Sequence, residues 1–258
     1  MKLKSLCCSI ASLSSLLLCS AFSAAAQAPN RQPLSASLQM IVVTTPAWNA
    51  VDGRLQRYER ERPGEQWKRV GDSIEIVVGK KGMGWGAGLA ATDEPGLRDA
   101  KDPVKKEGDG KSPAGAFRFS SAFGYAAQAP AGWKMPYIPL TASVECVDDS
   151  TSRFYNRIVD RATVSPDWHS SEQMARAGVA YRWGAVIDNN ANPPTPSVGS
   201  CVFMHVWGGA GVGTAGCTAM PQDQLEPILA WLDPAARPVL VQLPIAQYKK
   251  LKKPWRLP

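Results

Sequence analysis

The stretch Ser200-Cys201-Val202-Phe203-Met204-His205-Val206-Trp207 runs into Gly208-Gly209 and, after a glycine-rich return, into Thr214-Ala215-Gly216-Cys217. Its first eight residues are apolar on both faces, as in a strand deep inside a sheet. The glycines that follow allow a turn back, so a strand end and Cys217 fall near one another.

Working outward, short strand signals recur. Leu38 to Thr45 carries Ile41-Val42-Val43, Arg54 to Tyr58 faces Trp67 to Val70 across Arg62-Pro63-Gly64, and Ser73 to Val78 alternates with Ile74, Ile76 and Val78 on one face. Gly82 to Gly88 reads as a bent loop or bulged strand around Trp85, Glu107 to Gly115 as a turn-rich connector, and Ala116 to Phe119 as a strand. Tyr181 to Ile187 and Ser200 to Trp207 are strands separated by the Asn/Pro-rich loop 188–196, and Val239 to Leu243 is a closing strand. Two helices are expected. Ser170 to Ala177 has a serine cap, and Gln224 to Leu232 has the capping-box pair Asp223 and Glu226 with a Leu225, Ile228, Leu229, Leu232 stripe. Many short strands, two short helices and no βαβ alternation predict a mainly-β single domain.

The chain has 258 residues, 45% hydrophobic and 20% charged, with 22 Gly and 21 Pro. That composition excludes disorder, coiled coil and collagen, and no apolar run is long enough for a polytopic membrane protein. Residues 1–28 read as an export signal: Lys2 and Lys4, an uncharged stretch centred on Leu16-Leu17-Leu18, and a small-x-small end at Ala26-Gln27-Ala28. An exported, periplasmic protein is therefore expected, with a linker at 29–37, a domain at 38–246 and a basic, solvated tail at 247–258. Loss of Lys2 and Lys4 lowers the formal net charge from +7 to +5, suited to an anionic neighbour such as a cell-wall polymer. No nucleic-acid-binding signature accompanies the charge. No membrane span is expected after signal removal, and the chain is expected to be monomeric.

Three cysteines remain after the leader: Cys146, Cys201 and Cys217. An odd number in an oxidising compartment leaves at least one thiol unpaired. With only His169 and His205, and no CxxC or HxxxH spacing, neither a metal nor another cofactor is expected. Cys217 and His205 are the chemical candidates. An imidazole beside a thiol takes its proton, and Gly216, lacking a Cβ, lets a substrate carbonyl reach the backbone N–H groups of Gly216 and Cys217 as an oxyanion hole. A half-disulfide and a core histidine are the bland alternatives. His169, between Trp168 and a helix start, is expected to be structural.

The segment Gly199 to Pro221, with His205 ahead of Thr214-Ala215-Gly216-Cys217, resembles the active-site signature of the L,D-transpeptidase (YkuD-type) catalytic domain family, in a proteobacterial branch. Asp109-Gly110-Lys111-Ser112-Pro113-Ala114-Gly115-Ala116-Phe117 is similar to the same domain's upstream motif, and Cys146-Val147-Asp148-Asp149, Tyr155-Asn156 and Ser171-Glu172-Gln173-Met174 fit that branch. The resemblance spans Leu38 to Leu243. It implies a curved β-sandwich with one or two short helices, and acyl transfer between donor and acceptor stem peptides of peptidoglycan through a Cys217 thioester. It makes His205 the base, Gly216 the glycine before the nucleophile, and Thr214 the Ser/Thr position, expected to meet substrate.

The sequence departs from the pattern in having Ala215 where many members carry a second histidine, and Thr218-Ala219-Met220 where an Arg or Asn is usual. Arg182, or Arg153 or Arg157, is then a candidate to hold a substrate carboxylate, an ordinary surface residue being the alternative for each. The same site used with water would make a carboxypeptidase or endopeptidase, and an inert Cys217 would make a wall-binding module. Fast alkylation of one cysteine at neutral pH is expected of the enzyme. A papain-like hydrolase has the opposite Cys–His order, and a sortase has its histidine much further upstream. If Cys217 stays reduced, Cys146 and Cys201 are the pair left to bridge, with Cys201 expected on the strand and face of His205; two separate buried thiols remain the alternative.

Overall fold

The β-branched run Ile41-Val42-Val43 lies in β1 (Gln39–Thr45), which pairs antiparallel with β2 (Asp52–Glu59). β2 turns at Arg62-Pro63-Gly64 into β3 (Lys68–Val77), with Arg57 opposite Val70 and Tyr58 opposite Arg69. The two strand signals at 67–70 and 73–78 are one strand. The register shifts between Leu55 and Arg57, and Gly71 adopts φ +64°, so a bulge carries the strand through its polar middle.

Residues 34–90 and 98–258 are described by the structure, a computed structural model. The expected leader, residues 1–28, and the start of the linker lie outside them.

β4 (Met83–Trp85) precedes the long β5 (Ser112–Gly124), and β6 (Tyr137–Pro139) flanks it. Next come β7 (Val144–Val147), β8 (Ile158–Asp160) and β9 (Ser171–Gln173), which form a separate small sheet with β7 in the middle. β10 (Trp183–Ile187), β11 (Phe203–Val206), β12 (Thr218–Met220), α1 (Gln222–Trp231), β13 (Val239–Pro244) and α2 (Ile245–Lys252) complete the chain. The main sheet runs β10-β11-β12-β3-β2-β1-β13-β5, and β10 pairs again with β5. The fold is mainly β, and the β10–β5 pairing closes the main sheet on itself like a barrel. Among the described residues, four pairings are parallel (β1–β13, β4–β5, β5–β6 and β11–β12), a feature the absence of βαβ alternation did not suggest.

The main core lies inside this closure, with Met40, Phe117, Met204 and Leu240 fully buried. α1 covers it with Leu225, Ile228 and Leu229, and Leu232 just beyond is also buried; each such side chain contributes about 1.5–3 kcal/mol relative to exposure. The expected capping box does not form. The helix starts earlier, from Pro221, which places Asp223 inside the first turn instead of at the cap. A second apolar cluster, outside the main sheet, packs Phe123, Tyr181, Phe203 and Cys217 beneath Val144, Cys146 and Met174 of the small-sheet layer.

Three expectations are corrected. Ser170 to Ala177 is not a helix: Ser171–Gln173 pairs with β7 and only Met174–Arg176 makes a 3₁₀ turn, because tertiary pairing outweighs local propensity. The linker is already packed at Leu34 and Ser37, whose carbonyls accept hydrogen bonds from the Arg60 guanidinium. The C-terminal segment is docked as α2, with Leu251, Trp255 and Leu257 buried while Lys250, Lys252 and Lys253 face solvent. Among the described residues, no helix is long and apolar enough to cross a membrane.

Candidate active site

β11 and β12 are parallel, with Met204 opposite Thr218, His205 opposite Ala219 and Val206 opposite Met220. Extended one residue back, this register sets Cys217 opposite Phe203, whose N–H donates to Cys217 Sγ at 3.3 Å. Side chains alternate along a strand, so Phe203, His205 and Cys217 share one face while Met204, Val206 and Met220 enter the main core. Tyr181 closes over that face, its ring 5.5 Å from Phe203 and 5.3 Å from the His205 imidazole.

The turn before Cys217 is fixed by hydroxyls. Thr214 Oγ1 donates to the Cys217 carbonyl at 2.6 Å and accepts the Gly216 N–H at 3.1 Å. Ser112 Oγ, fully buried, donates to the same Cys217 carbonyl at 2.9 Å and accepts the Gly79 N–H. Thr214 is held against the end of β3 by bonds to Val78 and Lys80. Space at Gly216 is tight, since a Cβ there would stand 3.0 Å from the Lys111 carbonyl oxygen.

Cys217 and His205 line one cleft of about 610 Å³. His205 Nδ1 lies 2.8 Å from the Val206 carbonyl oxygen. A carbonyl only accepts, so Nδ1 carries the ring hydrogen and Nε2 keeps its lone pair. Burial pushes the imidazole below its ordinary value, which also favours the neutral base. Burial likewise pushes the Cys217 thiol up to about 12, helped by the Glu172 carboxylate and opposed by the Phe203 N–H and by Lys105. The thiol hydrogen points to the Cys201 carbonyl at 3.7 Å, so the resting pair is a neutral thiol and a neutral imidazole with no direct hydrogen bond between them. Fast alkylation is therefore not expected of the resting protein. Instead, iodoacetamide labelling of Cys217 should be slow at pH 7 and rise about tenfold per pH unit well into the alkaline range, since only the thiolate reacts. A rate that levels off near pH 7 in a mass-spectrometric time course would contradict this.

The other expected residues divide. Thr214 lines the cleft, but its hydroxyl is committed to the turn. The Gly216 N–H, expected as one of two oxyanion donors, is likewise taken by Thr214 Oγ1. Arg182 is exposed and lines a different groove with Tyr125, Val179 and Trp183. Arg153 stacks on Phe154 and pairs with Asp167, Arg157 lines a third depression, and His169 is exposed, its N–H bonded to Asp149. None of the three arginines, nor His169, lines the cleft. Local backbone direction put these side chains elsewhere, which charge alone could not reveal.

Among the described residues, the one Lys or Arg lining the cleft is Lys105, which the sequence reading passed over. Its side chain is 4% exposed, and Nζ donates to Asp109 Oδ1 at 2.8 Å and to the Lys106 carbonyl at 2.7 Å. Asp109 also accepts the N–H groups of Lys106 and Lys111, so the acidic turn read as a motif serves to hold this cation. Asp109→Asn should destabilise the fold by about 3–5 kcal/mol, because it leaves a buried ammonium unpaired. Lys105→Met should cost less, since Asp109 keeps two backbone donors. Urea denaturation of both variants would show the reverse order if this account is wrong.

Cys146 and Cys201 are disulfide-bonded, closing a loop of 55 residues, and Cys217 is free. Cys201 is not on β11. It precedes the strand at φ +52°, its N–H held by Asn156 Oδ1 at 2.9 Å, and it lines the cleft. The bridge ties the small sheet to the backbone that accepts the thiol hydrogen. Removing it by Cys146→Ala with Cys201→Ala should cost about 2–5 kcal/mol by urea denaturation; a loss below about 0.5 kcal/mol would deny it a structural role.

Comparison with protein-family models, with curated proteins and with solved structures found no match.

Proposed function

We propose that the protein is an exported cysteine acyl-transferase of the L,D-transpeptidase type, acting on peptidoglycan stem peptides. One observation carries the reading: the one free thiol among the described residues shares a cleft and a strand face with an imidazole whose Nε2 is left unprotonated by the Nδ1–Val206 bond. In the acylation step, Nε2 takes the thiol proton as sulfur attacks the amide carbonyl next to a diaminopimelate residue. The Cys217 N–H receives the developing oxyanion, and the imidazolium returns the proton to the departing amine as the C–N bond breaks. An amine on a second stem peptide then attacks the thioester and leaves a cross-link, and water in its place gives hydrolysis.

The neutral resting pair suits this sequence, because proton transfer coupled to attack avoids a thiolate buried against Glu172. Lys105, though paired with Asp109, offsets in part the burial that keeps the Cys217 thiol protonated. Incubation of the protein with a diaminopimelate-containing tetrapeptide, followed by chromatography and mass analysis, tests the proposal. A cross-linked dimer with release of the terminal amino acid supports it; an unchanged tetrapeptide overturns it.

A further inference from the structure

The C-terminal segment carries a one-signed charge array that the rest of the chain leaves largely unneutralised. Lys249, Lys250, Lys252, Lys253 and Arg256 are all exposed, and no Asp or Glu occurs from Ile245 to Pro258. Lys250 reaches Asp99 at 3.4 Å, and the other four have no ion-pair partner among the described residues. Gln247, Leu251 and Trp255 are buried, and their spacing of four sets them on one side of α2 and the turn after it. Lys249 and Lys253 therefore leave from the opposite side.

The surroundings of this face are partly aromatic. Trp67, half-buried, donates its indole N–H to the Arg256 carbonyl at 3.1 Å, and the Arg60 guanidinium stacks on its ring. Tyr248, on α2 itself, is also half-buried. At the adjoining hairpin tip the charges cancel, Arg62 against Glu65 and Lys68 against Glu61. Leu34 and Ser35, the first described residues, border one small depression together with Trp255 and Arg256. The expected export leader precedes them, so the chain enters the fold from its membrane-targeted end beside this basic surface.

We propose that the basic face of α2 docks the protein on an anionic phospholipid surface. Four of its five cations are lysines, compact hydrated charges on flexible stems, without the planar fork that suits a single carboxylate or phosphate. Nor is there a hollow to hold such an ion, since the depression beside Arg256 encloses only about 20 Å³. An open array of this kind responds to the summed potential of many headgroups. Tryptophan and tyrosine at its margin suit the headgroup level of a bilayer. A carboxylate-bearing polymer would match the charge but offers no apolar layer for Trp67. No residue of α2 lines the cleft of Cys217, so the inference stands apart from the acyl-transfer reading.

Co-sedimentation with vesicles tests this, using the chain from Pro29, the form that export would leave. The protein should bind phosphatidylcholine vesicles containing about 30% phosphatidylglycerol, and bind phosphatidylcholine alone about thirtyfold or more weakly. Salt at about 0.5 M should abolish the difference. Lys249→Gln, Lys252→Gln and Lys253→Gln together should lower partition onto the anionic vesicles by about thirtyfold or more. Lys80→Gln, Lys81→Gln and Lys106→Gln, also exposed and equal in charge lost, should shift it less than about threefold. Circular-dichroism melts check that both variants fold; were the α2 variant unstable, Lys249→Gln alone should still cost about fivefold. Equal losses for the two triple variants would reduce the effect to net charge and overturn the assigned face. Failure to bind the anionic vesicles would overturn the proposal outright, and retention on isolated peptidoglycan through the same lysines would reassign the face to the wall polymer. Neither result bears on stem-peptide transfer.

Discussion

Cys217→Ala is expected to reduce stem-peptide acylation by about 10³-fold or more, to the background of the assay. The thiol is the free sulfur of the cleft, and nothing else lining it beside the Cys217 N–H is a comparable nucleophile. The variant should still fold. The Cys217 carbonyl, held by Thr214 and Ser112, is backbone and survives the exchange, while the lost contacts are the weak ones from Sγ to Phe203 and Cys201. A circular-dichroism melt alongside the assay separates loss of chemistry from loss of fold. Turnover above about a tenth of normal in a folded variant would remove Cys217 from the mechanism.

His205→Ala should lower the acylation rate by about 10²–10⁴-fold, the range for a positioned general base. The effect should fall on the chemical step, because a thiol pushed up to about 12 ionises negligibly without an acceptor for its proton. The sign of the pH dependence follows from burial. The base acts when neutral, and burial lowers the imidazole below its ordinary 6.5, so activity should persist through mildly acidic pH and fall only as pH drops through the depressed value. A kcat/KM profile whose acid limb lies above 6.5 would show that the imidazole is not the group being titrated. A rate within tenfold of normal for the alanine variant would assign the proton transfer to another residue.

Several strands and the free thiol of Cys217 were legible because their signals are local. Ile41-Val42-Val43, the Arg62-Pro63-Gly64 turn and the Leu225, Ile228, Leu229 stripe each specify an element over a few residues. Cys217 stood out by cysteine parity, and the disulfide between Cys146 and Cys201 agrees with the pairing expected for a reduced Cys217. What the sequence concealed depends on long-range pairing. Lys105 looks like any other lysine until Asp109 closes around it. Ser112 gives no hint that it will hold the Cys217 carbonyl 105 residues away. Ser171-Glu172-Gln173 resembles a capped helix start, yet β7 claims it as a strand, and this brings Glu172 to the cleft. Arg182 had the charge a substrate carboxylate wants, but it sits in another groove. The C-terminal lysines suggested a solvated tail, although Leu251 and Trp255 at helical spacing already marked a buried side.

Intact-mass measurement of the protein, quenched in acid during turnover of a diaminopimelate-containing tetrapeptide, tests the central claim most directly. The predicted result is a mass increase equal to the tetrapeptide less its terminal amino acid, mapped by digestion to the peptide bearing Cys217 and lost in Cys217→Ala. An unmodified mass while substrate is being consumed, or an adduct on any other residue, would contradict it.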